Sequence, residues 1–243
     1  MSVCFVTAIY RVYESEDAPP GSLPQELLGR LRTLAFDVKL LVFCEFELYE
    51  AVHNELGELA SVVIMDISQT QVSQALAGVT KLPPHRNPAK DTKAYMTLMC
   101  NKSEFLRKAR ELSPCSQLFV WIDGGITKIL TEDASNVLTS MVERVHAGGC
   151  ATRILMPGCW PKGASSYFQA INWRFCGGFA IVPNQLVDTF ADAVVRGCEK
   201  LARETDCAVW EVNVWAMIED QLPITWYKGD HDASIFDFPR LFQ

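Results

Sequence analysis

The chain has 243 residues, 49% of them apolar and 21% charged, with a formal net charge of −7. That is an ordinary globular balance, long enough for one large domain. An acidic chain without a basic block is a poor partner for duplex nucleic acid, which needs a clustered Lys/Arg surface, and no apolar run is long enough to span a bilayer. In chain order, Val3 to Ile9 reads as a buried strand that begins almost at once, with no basic leader before it. Pro24 to Ala35 opens on a proline suited to a first helical turn and repeats leucines at helical spacing. Val38 to Cys44 is a second apolar strand, Glu45 to Leu56 a helix, Val62 to Met65 a third strand, and Gln69 to Val79 a weaker helix. The prolines of Leu82 to Pro88 make that stretch a loop. One long helix is expected over Thr92 to Leu112, with Asp91 as N-cap and Pro114 as its stop.

Leu118 to Ile122 is the most pronounced buried strand, and it ends abruptly in Asp123-Gly124-Gly125. Glu132 to Val145 then reads as a helix closed by Gly148-Gly149, and Thr152 to Met156 as a strand. Pro157 to Phe168 is a loop rich in Gly, Pro and Ser. Asn172 to Val182 reads as a strand interrupted by a glycine pair, Asn184 to Glu204 as a long amphipathic helix, Trp210 to Ile218 as a helix, and Ile224 to Tyr227 as a short strand. The tail from Ser234 is aromatic and irregular. Strands alternating with helices argue for a mostly parallel sheet flanked by helices, in one domain with a regular first half, 1–130, and a mixed second half, 131–243. Neither a P-loop nor a G-x-G-x-x-G turn is present.

Ligands of open α/β sheets bind at the carboxyl ends of the strands, so residues at those ends are the candidates for chemistry. Asp123 is one, and its two glycines remove side chains that would block a ligand. Thr7 to Arg11 leaves the first strand at the same edge, and Thr7, Ala8, Tyr10 and Arg11 suit a nucleotide. Tyr95 and Lys102, seven apart on the expected helix, share a face; Asn101 and Lys102 are placed to reach a pyrophosphate. Gly177, Gly178 and Phe179 bring flat backbone between aromatics, as in a sugar pocket. Glu211 opens a helix, where a carboxylate serves either as a general base or as a dipole-favoured terminal acid. Lys228 and His231 follow the last strand, and His231 beside two aspartates is a candidate metal ligand.

Nine cysteines stand at 4, 44, 100, 115, 150, 159, 176, 198 and 207 without a C-x-x-C pair. Buried reduced thiols in a reducing, cytoplasmic setting are the expected reading. The absence of paired spacing also argues against a zinc site.

Four blocks carry a resemblance across most of the chain: FVTAIYRVYE at the start; N-P-x-K-D-T-x-x-Y from Asn87 to Tyr95 followed by Asn101-Lys-Ser-Glu-Phe-Leu106; FVWIDGGI; and RFCGGFAIV. Together they resemble the HtrL/YibB-like glycosyltransferases. The resemblance implies a GT-A-type fold, a mostly parallel mixed sheet flanked by helices, and transfer of a sugar from a nucleotide-sugar donor to a hydroxyl of a glycan or glycoconjugate, with at most peripheral contact to a membrane. It further implies that Thr7 to Arg11 hold the base and ribose, that Lys102 touches a phosphate, and that Gly177 to Phe179 line a sugar. Asp123 and Glu211 would be catalytic, Gly124, Gly125 and Lys228 would border the donor, and Asp123 with His231 would hold Mn²⁺ or Mg²⁺. One departure stands out: Gly125 occupies the place of the second acid of an Asp-x-Asp motif, which thins that metal shell. The alternative reading is a non-catalytic nucleotide- or sugar-binding protein on the same scaffold. A metal-dependent hydrolase is a third; it would need another acid near Asp123, for which Asp66 is the strand-end candidate.

Overall fold

Apolar residues fill both parities of each central strand, so the sheet must be covered on both faces. In the computed structural model, which describes residues 2–13, 27–28, 38–130, 133–148, 151–163 and 167–239, this is the arrangement found. Cys4, Val6, Phe119, Trp121, Ala180 and Val182 pack into one helical layer. Their strand neighbours Val3, Phe5, Leu118, Val120, Phe179 and Ile181 pack into the layer on the opposite face.

The strands are β1 (Val3–Ile9), β2 (Lys39–Cys44), β3 (Ser61–Ile64), β4 (Leu118–Ile122), β5 (Ile154–Gly158), β6 (Phe179–Pro183) and β7 (Ile224–Lys228). They form one seven-stranded sheet in the order β3-β2-β1-β4-β6-β5-β7. All pairings are parallel except those of β6, which runs antiparallel to β4 and β5. The α-helices whose bounds fall among the described residues are α1 (Tyr49–Leu56), α2 (Gln71–Leu76), α3 (Lys93–Cys100), α4 (Lys102–Leu112), α5 (Ala134–Ala147), α6 (Val187–Thr205) and α7 (Glu211–Ile218). The chain is therefore a single α/β domain with a mostly parallel mixed sheet between helical layers.

Three elements differ from the sequence reading. The helix expected over Thr92–Leu112 is two helices that meet at Asn101. Its amide donates to Ser73 Oγ and to the Thr97 carbonyl, both at 2.9 Å, while its Oδ1 accepts from Thr70 Oγ1 at 2.6 Å. A side chain that competes with the backbone in this way breaks a helix. The N-cap of α3 is Thr92 rather than Asp91, whose carboxylate instead accepts from the Asn87 amide. Asn172–Gly178 is irregular, and only Phe179–Pro183 is strand. The helix expected over Pro24–Ala35 lies outside the described residues apart from Leu27 and Leu28, which are helical. Phe236 and Phe238 of the aromatic tail dock on the chain's own Phe179, with ring centroids 5.2 and 6.0 Å away.

Candidate functional site

The carboxyl ends of β1, β4, β5 and β7 share one edge of the sheet, and antiparallel β6 begins there. The chain turns outward from β1 toward β2 on one side and from β4 toward β6 on the other, so a crevice opens between their ends. It widens into a cavity of about 470 Å³, walled by Tyr10, Tyr95, Trp121, Asp123, Glu211 and His231 among others.

Behind this wall lies a buried lysine. Lys102 is the first residue of α4 and only 1% exposed. Its Nζ lies 2.7 Å from Glu211 Oε1, 3.0 Å from Asp123 Oδ1 and 2.9 Å from the Gly177 carbonyl oxygen. Three donors meet three acceptors, so the ammonium is fully satisfied. Trp121 Nε1 donates to Asp123 Oδ1 at 2.8 Å, and the Trp121 ring centroid lies 5.5 Å from the ammonium. Asp123 is fixed through its backbone as well, donating to the Gly178 carbonyl at 2.9 Å. A glycine at 177 is required sterically: a Cβ there would come within 2.0 Å of Glu211 Oε1.

Burial alone would push Lys102 down, but the carboxylates of Asp123 and Glu211 outweigh it and hold the ammonium above its ordinary range. Burial, reinforced by the same two carboxylates, drives the Tyr95 phenol well above its usual value. Tyr95 thus meets a ligand as a neutral hydroxyl.

Of the residues singled out from the sequence, Ala8, Tyr10, Tyr95, Asp123, Gly124, Gly125, Gly177, Gly178, Glu211 and His231 all border the cavity. Others stand apart. Thr7 is buried within β1 with its hydroxyl unpartnered. Arg11 is exposed, and its backbone amide donates to Glu45. Asn101 spends its amide on the helix junction. Phe179 is core, and Lys228 is exposed at the end of β7. Lys102, expected at a phosphate, is buried with its three protons engaged by protein oxygens. Asp66 is used locally, accepting from the Ser68 amide at 2.9 Å.

Residues not singled out complete the wall. Trp121 orients Asp123. Trp173 meets the His231 ring edge-on, with centroids 4.2 Å apart. Cys159, Asp230 and His231 present donor atoms that all lie within 4.8 Å of one another, and among the described residues this is the group able to share an ion. Asp123 does not belong to this group; its two oxygens accept from Lys102 and Trp121. A donor set with one thiol, one imidazole and one carboxylate does not suit Mn²⁺ or Mg²⁺, which prefer shells of oxygen.

Comparison with known proteins bears on the fold. Neither a protein-family model nor a curated protein sequence matches the chain. Among solved structures, mouse xyloside xylosyltransferase 1 in its apo form superposes with a TM-score of 0.54 at 11% identity, over 95% of this chain and 86% of that one. A glycosyltransferase involved in glycosylation of the major capsid of PBCV-1 gives 0.44 at 11% identity, over 95% and 82%. Rv0371c of Mycobacterium tuberculosis H37Rv in complex with manganese gives 0.43 at 13% identity, over 96% and 89%. The first superposes closely enough to define the fold, which is of the GT-A-like glycosyltransferase type; at its identity it defines nothing finer.

Proposed function

We propose that the chain is a glycosyltransferase of the HtrL/YibB-like kind, moving a sugar from a nucleotide-sugar donor to a hydroxyl of a glycan or glycoconjugate. The observation that carries this reading is the Lys102–Asp123–Glu211 ion cluster in the wall of the strand-end cavity. Two carboxylates are held there in fixed positions by a buried ammonium that is fully engaged by protein oxygens, in a fold shared with a xylosyltransferase.

The acceptor oxygen attacks the anomeric carbon of the donor. The bond from that carbon to the diphosphate breaks, and the nucleoside diphosphate leaves with the electron pair. In an inverting reaction Glu211 receives the acceptor proton; in a retaining one it faces the developing oxocarbenium charge. Asp123, turned toward the cavity by Trp121 and Lys102, is placed to accept from a donor hydroxyl such as that of the ribose. Tyr95 supplies a neutral hydroxyl, and Tyr10, Gly124 and Gly125 border the base and ribose. A divalent ion, when bound, would neutralise the leaving diphosphate.

The first test is calorimetric titration with UDP, GDP, CMP and dTDP, each with and without Mn²⁺. Selective micromolar binding of one of them is expected. A folded protein that binds none would remove the transferase reading. Glu211→Gln should then abolish transfer while the donor nucleotide still binds, and Asp123→Asn should weaken donor binding and transfer together. If nucleotide binds but no acceptor hydroxyl is ever glycosylated, the chain is the non-catalytic binder that the missing second acid also allows.

A further inference from the structure

Cys159, Asp230 and His231 come from two chain segments about seventy residues apart, and the sheet brings them together. Strands β5 and β7 are parallel neighbours paired to their last residues, Gly158 opposite Lys228. Both chains then leave the sheet side by side, tied by the Gly229 amide donating to the Gly158 carbonyl at 3.1 Å. Cys159 follows directly from one strand end and Asp230-His231 from the other. The Asp230 amide donates to Ser234 Oγ and the His231 amide to Asp230 Oδ1, which fixes the turn. Trp173 packs edge-on against the imidazole.

The donor atoms match one another in distance. Cys159 Sγ lies 3.6 Å from Asp230 Oδ1 and 3.7 Å from His231 Nδ1, and His231 Nδ1 lies 3.4 Å from Asp230 Oδ1. Tetrahedral zinc with its usual bond lengths has sulfur–nitrogen, sulfur–oxygen and nitrogen–oxygen edges of about 3.3–3.7 Å. We infer that Cys159, Asp230 and His231 form a three-ligand site for a thiophilic divalent transition metal of the zinc class, in the wall of the strand-end cavity.

Chemistry sets the choice of ion. A thiolate beside an imidazole selects zinc or cobalt over magnesium, calcium or manganese. Three protein ligands leave the fourth position for water or a substrate atom, the pattern of a catalytic rather than a structural zinc site. Asp230 and His231 border the cavity, so a ligand held there can supply that fourth donor. Cys176 stands outside the triad, its sulfur 3.6 Å from that of Cys159.

The test needs no nucleotide, so its outcome is separate from that of the transferase reading. The full chain, stripped with chelator, is titrated with Co²⁺ and followed by absorption. One equivalent should produce a thiolate-to-cobalt charge-transfer band in the near ultraviolet, together with visible bands of tetrahedral intensity. Zn²⁺ should displace the cobalt, whereas equal Mn²⁺ or Mg²⁺ should not. Cys159→Ser should abolish the charge-transfer band. Asp230→Asn and His231→Ala should each weaken binding by more than the about 10- to 100-fold typical of losing an outer-sphere partner. Absence of a band, or a band that survives Cys159→Ser, overturns the site.

Discussion

Lys102 and Glu211 each open a helix, and their charged groups meet 2.7 Å apart beneath the cavity. The first residues of the two helices thus reach each other through their side chains. Glu211 is favoured at its position by the helix dipole, and Lys102 is opposed at its own. The lysine is retained there against both dipole and burial because Asp123 and Glu211 surround it.

Removing the lysine should accordingly be expensive. Lys102→Met leaves Glu211 buried without its cation, and breaking one partner of a buried pair costs about 3–5 kcal/mol. A matching fall in the unfolding free energy, read from denaturant titration and extrapolated to water, is expected. The double variant Lys102→Met/Glu211→Gln should recover a substantial part of that loss, since the orphaned charge is gone. A double variant as unstable as the single one would show that packing of the lysine stem, not charge, decides stability here.

Gly177 and Gly125 offer a contrast within one cavity. An alanine Cβ at 177 would lie 2.0 Å from Glu211 Oε1 and 3.2 Å from Lys102 Nζ. The carboxylate must then leave its place in the ion cluster, and overpacking of this kind costs about 1–3 kcal/mol. At 125 the nearest atom would be the Leu27 methyl at 3.6 Å, an ordinary contact. Gly177→Ala should lower the thermal midpoint and abolish turnover, while Gly125→Ala should leave the midpoint unchanged. Equal midpoints for the two variants would contradict the placement of Glu211.

The strand ends were legible in the sequence because burial on both faces demands unbroken apolar runs, and an acid after such a run stands out, as Asp123 does. Glu211 and His231 were visible for the same reason, by their position beside element ends. The ion cluster was not legible: Lys102 reads as a phosphate contact, since nothing in its own segment reveals that Glu211, over a hundred residues away, pairs with it. Cys159 was invisible as a ligand because its neighbours depend on β5 lying beside β7, a pairing that no local spacing encodes. The break at Asn101 was likewise hidden, as it rests on Thr70 and Ser73 from another helix.

Glu104 provides a pH-dependent signature away from the site. Its Oε1 is buried without a hydrogen-bond partner, and the nearest cation, Arg107, is 3.9 Å away and pairs more closely with Asp192. Burial raises the Glu104 carboxyl above its ordinary range, with Arg107 offsetting it only in part. The folded state thus binds this proton more tightly than the unfolded one, so stability falls as pH rises through the window between the two values. Glu104→Gln should therefore be more stable than the parent at neutral pH. The advantage should shrink on acidification and disappear below the ordinary glutamate range. A difference in melting temperature that stays constant from neutral pH to below that range would count against this account.

Asn213 ties the wall of the cavity to helix α7. It is fully buried; its amide donates to the carbonyls of Tyr167 and Ala170, both at 2.8 Å, and its Oδ1 accepts from the Asn172 amide at 2.8 Å. Asn172 in turn accepts from the Arg174 amide at 3.0 Å, and the Arg174 guanidinium grips the Glu219 carboxylate at 2.6 and 3.0 Å. One side chain thereby satisfies three backbone groups of an irregular segment that leads into Trp173, Cys176 and Gly177. Asn213→Ala strands those groups, at about 1–3 kcal/mol for each that water cannot reach, so a loss of at least about 2 kcal/mol is expected. The effect should be local before it is global. Amide exchange at Asn172 and Arg174 should accelerate well beyond that in β4 and β6, and nucleotide affinity should fall because the cavity wall loosens. Asn213→Asp should do no better than alanine, since a carboxylate cannot donate to the two carbonyls and repels them instead. Unchanged exchange at Asn172 and Arg174 in a folded Asn213→Ala protein would show that the segment is held from elsewhere.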